Sequence, residues 1–147
     1  MLNLTIKKFD ELSVNELYAI LRLRSEVFVV EQSCVYQDLD GKDQKALHVI
    51  GSSENEIVAY TRIFGPGDYF DEASIGRVVV KKTARKYGYG LEIMKASIKA
   101  IELYFKTKEI HLSAQKYLKK FYESLGFVQV GFEYLEDGIP HIGMTKK

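Results

Sequence analysis

The sequence predicts a mixed α/β (α+β) domain in which helices flank a mostly antiparallel central sheet. Three observations carry this. Strand and helix patterns alternate along the whole chain in the order β-α-β-β-β-α-β-α-β-β, with three strands in succession before the longest helix. Val78-Val79-Val80 reads as a buried central strand that runs directly into that helix. Asp137-Gly138 separates the last two apolar runs, a hairpin signal. At 147 residues the chain is one domain's worth, so residues 1–147 are expected to form a single domain.

Each element has its own local reason. Leu2, Leu4 and Ile6 alternate with polar residues over Leu2–Lys8, a strand pattern. Ser13 and Glu16 form a capping box, and a helix follows to about Val30, with Leu17, Leu21, Arg24 and Phe28 on one face. The polar stretch Gln37–Gln44 contains Gly41 and reads as a loop. Ala46–Gly51 and Ile57–Phe64 are strands joined by a turn at Ser52–Asn55, and Gly65-Pro66-Gly67 ends the second. Ser74–Lys81 is the buried central strand. Over Gly88–Phe105, Leu91, Met94, Ile98, Ile101 and Phe105 fall on one helical stripe. A short strand at Glu109–Ser113 precedes a helix from about Lys116 to Leu125, with Gly126 as its stop. Phe127–Leu135 and Ile139–Thr145 close the chain as a hairpin.

Composition excludes several classes. Hydrophobic residues make up 46% of the chain, enough for a core, and the formal net charge is +1. A nucleic-acid binder usually carries a basic stripe, which this balance argues against. The longest apolar runs, such as Val27–Val30, fall far short of the ~20 residues of a membrane span. One cysteine, Cys34, permits no internal disulfide, and no signal peptide is visible, so a cytoplasmic location is expected. The three histidines have no metal-ligand spacing, and no metal site is expected.

The stretch most informative about chemistry is Val78–Gly90. A buried strand enters a turn, and the turn opens the long helix. Gly88 and Gly90 lack side chains, so a ligand can approach the backbone closely. The first amides of a helix have no intrahelical acceptors, and the helix dipole adds positive potential there, a geometry that binds phosphate. Lys81, Lys82, Arg85 and Lys86 surround the turn. No Walker lysine follows, and three consecutive strands do not suit a dinucleotide fold.

Arg85-Lys86-Tyr87-Gly88-Tyr89-Gly90 resembles the Arg/Gln-x-x-Gly-x-Gly/Ala motif of the GNAT superfamily of N-acetyltransferases. Tyr122-Glu123-Ser124-Leu125-Gly126-Phe127 resembles the Tyr-x-x-x-Gly-Phe segment of that superfamily. Leu21–Gln32 and Tyr134–Met144 are similar to its ElaA-like subgroup. The resemblance implies a sheet splayed between its two central strands, here Val78–Val80 and Glu109–Ser113. It implies acetyl-CoA as cosubstrate, with the diphosphate on the amides of Arg85, Lys86, Tyr87, Gly88, Tyr89 and Gly90. The edge of Val78, Val79 and Val80 would pair with the pantetheine arm, Gln115 belongs to the same cofactor-binding set, and Lys81, Lys82 or Lys86 would meet the adenosine phosphates.

The resemblance also implies direct attack of an amine on the thioester. Tyr122 would be the general acid that protonates the leaving thiolate. Relatives often carry a glutamate on the strand before the turn, but Ser74-Ile75-Gly76-Arg77 has no carboxylate. The base is therefore sought among His141 and Glu31, with His48, His111 and water as further options. The acceptor is expected to be a small-molecule or peptide amine, and strand edges offer a homodimer contact. A non-catalytic CoA-binding or sensing module is the alternative reading. Asp38, Asp40 and Asp43 read as a solvated acidic loop, or as one that attracts a cationic amine. Cys34 reads as an ordinary thiol. Arg24, on the apolar side of its helix, needs a partner such as Glu31 or a strand-end carbonyl.

Overall fold

The computed structural model describes residues 1–147. The elements are β1 (Asn3–Lys8), α1 (Val14–Arg24), β2 (Leu47–Ser53), β3 (Glu56–Phe64), β4 (Ala73–Val80), α2 (Tyr89–Phe105), β5 (Ile110–Gln115), α3 (Lys119–Glu123), β6 (Val128–Glu136) and β7 (Ile139–Lys146). This is the expected order. All seven strands form one sheet, β1-β2-β3-β4-β5-β7-β6. Every neighbouring pair is antiparallel except β4–β5.

Local signals explain most boundaries. The Ser13 hydroxyl accepts from the Glu16 amide at 3.0 Å, and the Glu16 carboxylate accepts from the Ser13 amide at 2.9 Å, so the capping box forms. Asp137 and Gly138 both have positive φ, 52° and 77°, as a two-residue turn matched to strand twist requires. Gly126 (φ 95°) ends α3 with the Phe127 amide bonded back to the Tyr122 carbonyl at 3.1 Å.

Three expectations shift. The first helix does not stay α-helical to Val30. It ends at Arg24 and continues as a wider π-helical turn over Ser25–Glu31, which buries Val27 and brings Phe28, Glu31 and Gln32 to a central cavity. The third helix is shorter than expected, because Lys116–Leu118 forms a 3₁₀ turn. The buried face of α2 is wider than the apolar stripe: Met94 and Ile101 are buried and Ile98 and Phe105 pack against the core as expected, Tyr89, Ile93, Ser97 and Ala100 are buried beside them, and Leu91 is exposed. Part of the widening is polar and small-residue packing. Ser97 hydrogen-bonds Thr61 of β3 at 2.6 Å, and Ala100 lets the helix approach the sheet. Hydrophobic periodicity does not register either residue.

The core has two parts, one on each face of the sheet. Under α2 and α3 lie Ala59, Ile63, Ile75, Ile93, Met94 and Leu112 among others. Under α1 lie Ile20, Leu23, Val27, Ile50, Tyr60 and Val79.

Beside the α1 core sits an ion network that the sequence reading did not anticipate. Arg24 pairs with Asp38 at 2.9 Å and Asp43 at 2.8 Å, not with Glu31 or a strand-end carbonyl. Arg62 pairs with Asp40 at 2.6 Å and Asp43 at 2.9 Å, and Arg77 with Asp38 at 2.8 Å. The acidic loop stays largely exposed, Asp40 included, but Asp38 and Asp43 turn inward and are buried, and all three carboxylates are paired with arginines. Unpaired, Arg24 and Arg62 would be prohibitively costly inside the fold, so Asp38 and Asp43 follow them in and Asp40 pairs from the exposed side. His48 sits behind, its ring nitrogens 2.6 Å from the Tyr60 hydroxyl and 2.9 Å from the Asp43 carbonyl. Burial lowers its pKa and keeps it neutral.

Burial alone would raise the Asp40 and Asp43 carboxyls, but the arginine hydrogen bonds and charges outweigh it and hold both below the usual range. Groups depressed in this way contribute their full stability above the unfolded aspartate value of ~3.9 and lose it as pH falls further. Asp43→Asn is expected to cost roughly 3 kcal/mol at neutral pH, by leaving two guanidiniums short of a partner. In urea titrations, the wild type should lose stability as pH falls below about 4. The variant should lose less over the same interval.

Candidate active site

The site begins with a failure of strand pairing. β4 and β5 are paired only at Ala73–Ile110 and Ser74–His111. Beyond those pairs the strands separate. The cause lies on the other edge of β4. Its register with β3 steps between Tyr60–Val79 and Arg62–Gly76, so Arg77 and Val78 together oppose Thr61. Arg77 has a φ of 51°, an uncommon value for a residue with a side chain. Such a bulge bends the strand that carries it. β5 meanwhile stays fully paired with β7 from Ile110 to Gln115.

The gap opens a cavity of about 560 Å³. Its walls include Val78, Val79, Val80 and Leu112 from the diverging strands, Arg85 and Gly90 from the entry to α2, and Tyr122 from α3. Glu136, Asp137 and His141 line it from the β6–β7 hairpin. The predicted splay between the two central strands is thus present.

The α2 entry is more structured than an open loop. Residues Lys82–Tyr87 form a 3₁₀ segment, which spends some of its amides on its own carbonyls. Gly88 then takes a left-handed φ of 75° as the N-cap of α2, and no side chain caps the first turn. The first intrahelical bond from this turn is that of Glu92 to the Gly88 carbonyl. The amides of Tyr89, Gly90 and Leu91 therefore precede the helical ladder. A Cβ on Gly88 would meet nothing within 4 Å, and one on Gly90 would sit 3.9 Å from Phe121 and Val80. A helix start without a side-chain cap, with bare glycine backbone and a cavity beside it, fits a diphosphate.

Around this turn the side chains have separate duties. Arg85 donates to the Val80 carbonyl at 3.1 Å and grips Glu31 with both terminal nitrogens, at 2.6 and 2.8 Å. That bidentate hydrogen bond lowers the Glu31 pKa. Lys81 pairs with Glu56 at 2.9 Å. Lys86 lies 5.2 Å from the Tyr87 ring, and Tyr89 is core. Gln115 exchanges two 3.2 Å hydrogen bonds with Gln32, joining the end of β5 to the residue after the π turn.

Tyr122 is buried, lines the cavity and has no hydrogen-bond partner within the protein; burial pushes its pKa well up. His141 is pinned by a 2.7 Å hydrogen bond from Nδ1 to the Ile139 carbonyl, which leaves Nε2 3.4 Å from Glu136. Ser113 links Tyr134, at 2.5 Å, and Glu136, at 3.4 Å, to the same wall. Of the other two histidines, His48 belongs to the ion network, and His111 packs against Phe70 with Glu72 3.7 Å away. Cys34 lies at the rim, its thiol 3.2 Å from the Asp137 carbonyl. Glu136, Ser113, Arg62 and Ser74 were not singled out from the sequence. Only Glu136 had a signal there, inside the Tyr134–Met144 stretch.

The acetyltransferase (GNAT) domain model matches residues 10–147. The chain belongs to the GNAT acetyltransferase family. Protein ElaA of Escherichia coli K12 is 44% identical over 140 residues, spanning 94% of this chain and 92% of that protein. The crystal structure of Escherichia coli ElaA superposes with a TM-score of 0.93 at 41% identity, covering 100% of both chains. An acyl-CoA N-acyltransferase from Pseudomonas aeruginosa gives 0.92 at 42% identity, also over 100% of both. The sheet with its split centre is the GNAT fold, and the family is one of acyl-transfer enzymes that use acyl-CoA.

Gly88→Glu brings both a strained φ and a negative charge to the entry of α2. Calorimetric titration with CoA should show affinity reduced at least about tenfold, the scale of one close like-charge contact. Gly88→Asn, which tolerates a left-handed φ, should retain most of it. Equal affinity in Gly88→Glu and wild type would remove the diphosphate from this turn.

Proposed function

We propose that residues 1–147 act as one N-acetyltransferase domain that moves an acetyl group from acetyl-CoA to a primary amine. The observation that carries this reading is a single cavity lined by the α2 entry (Val80, Arg85, Gly90) and also by Tyr122, Glu136 and His141. Binding and proton-transfer groups share one space. No helix is long and apolar enough to cross a membrane. With one cysteine in the chain, a cytoplasmic place of action is the consistent proposal.

Each residue has a role in this reading. The α2 entry, with the backbone of Arg85, Lys86, Tyr87, Gly88, Tyr89 and Gly90, holds the diphosphate, and Lys82 and Lys86 supply positive potential. β4 beyond Ser74 has no partner on its β5 side. The main chain of Val78–Val80 on that side can therefore pair with the pantetheine amides as an added strand would, apart from the Val80 carbonyl, which accepts from Arg85. In this reading a β4 amide next to the bulge stabilises the oxyanion. Gln115, tied to Gln32, borders the arm. Arg85 holds Glu31 as a partner, and a carboxylate with a lowered pKa is a poor proton acceptor, so Glu31 positions rather than takes the proton.

Proton removal from the amine is assigned to the His141–Glu136 pair, directly or through water. The Nδ1–H of His141 is donated to the Ile139 carbonyl, which leaves Nε2 as the basic nitrogen in the neutral ring. Tyr122 then donates its hydroxyl proton to the departing thiolate. Burial keeps that hydroxyl protonated at neutral pH.

The deciding experiment is an acetyl-transfer screen over amines, amino acids, amino sugars and peptides, followed by Tyr122→Phe on the best acceptor. The variant should lose kcat by roughly a hundredfold while KM for acetyl-CoA changes little. Unchanged kcat would remove Tyr122 from the mechanism. Thiol release with no acceptor in the screen would count against amine transfer.

A further inference from the structure

The wall of the cavity formed by β3 and β4 carries donors with nothing to donate to. Arg62 spends both terminal nitrogens on Asp40 and Asp43, but its Nε has no hydrogen-bond partner. Ser74 Oγ has none either, whereas the third such atom, Arg77 Nε, lies 2.8 Å from an Asp38 carboxylate oxygen as an ion pair. Arg62 and Ser74 are almost wholly buried, at 1% and 2% exposure, and both line the cavity. Leaving a buried polar group unsatisfied costs about 1–3 kcal/mol, so two in one wall require a reason.

Their placement supplies it. Arg62 of β3 lies directly opposite Gly76 of β4, and Ser74 is two residues along the same strand. In an antiparallel pair these three positions share one face of the sheet. Gly76 has no side chain, and a Cβ there would find only Arg62 Nε, at 4.0 Å. A bare position thus lies between the two donors. Across the cavity, the β6–β7 hairpin presents Glu136 and Asp137. One wall offers donors and the other offers carboxylates.

We propose that this wall is an acceptor subsite for a carboxylate, so that the amine acetylated here belongs to an amino acid or a closely similar amino-carboxylate. The carboxylate accepts from Arg62 Nε and Ser74 Oγ across Gly76. The amino group faces Glu136, Asp137 and His141. The ionic charges of Arg62 are already balanced by Asp40 and Asp43, so recognition comes from unmet hydrogen bonds rather than net charge. A site of that kind discriminates strongly against analogues lacking the acceptor group. This inference rests on the transferase reading above.

The test compares free amino acids with their carboxamides and with the decarboxylated amines. Acetyl transfer to the acids should exceed that to both analogues by at least about tenfold in kcat/KM. Gly76→Ala, whose φ suits any residue, should reduce that ratio by placing a methyl group between the donors. Ser74→Ala should reduce it by removing one of them, and circular dichroism checks that each variant is folded. Melting curves with CoA present read the subsite without turnover: the acid should raise Tm and the amide should not. Equal rates for acids and amides overturn the subsite while leaving the transferase intact. Equal melting shifts do the same. No transfer to any amine, with no stabilisation by CoA, overturns the transferase reading and the subsite together.

Discussion

The short parallel zipper between β4 and β5 is the constraint on which the molecule's other features depend. Two residue pairs hold the strands together, and a bulge at Arg77–Val78 then carries β4 away while β7 holds β5 in place. A sheet paired along its full length would have no central cavity. A sheet without the zipper would have no common framework for the α2 entry and Tyr122. The divergence exposes main-chain groups of β4 in the middle of the fold, where unpaired amides are costly unless something binds them. In the proposed reading the cosubstrate offsets that cost.

The bulge in turn depends on the buried ions. Arg77 holds a left-handed φ that costs about 1 kcal/mol or more in a side-chain-bearing residue. Its guanidinium reaches Asp38 at 2.8 Å and also donates to the Asp38 carbonyl at 2.8 Å. Asp38 is shared with Arg24, and Asp43 bridges Arg24 to Arg62. The loop that carries these aspartates is thereby tied to α1, β3 and the kinked point of β4. The ionic cluster fixes the geometry of the wall on which Arg62 Nε and Ser74 Oγ are left over.

Much of the scaffold was legible from local patterns. The strand–helix order, the Ser13 capping box, the Asp137-Gly138 turn and the Gly126 stop all follow from interactions within a few residues of the chain. The glycine turn before α2 was legible for the same reason, since helix starts bind anions by virtue of their own backbone. What proved illegible was long-range or polar. The buried face of α2 widens to take in Ser97 because Thr61, far away in sequence, offers it a hydroxyl. Arg24 finds Asp38 and Asp43 rather than Glu31, because Glu31 is taken by Arg85.

By itself, the sequence determined the element order, the hairpin and the glycine turn before α2, because each is decided by neighbours along the chain. The motifs within it also sufficed to indicate the family. Only the tertiary structure decided where the sheet parts, which aspartates neutralise the buried arginines, and which donors remain unmet beside Gly76. Those outcomes depend on register between strands and on competition among charged partners distant in the chain, and neither is written in any local pattern.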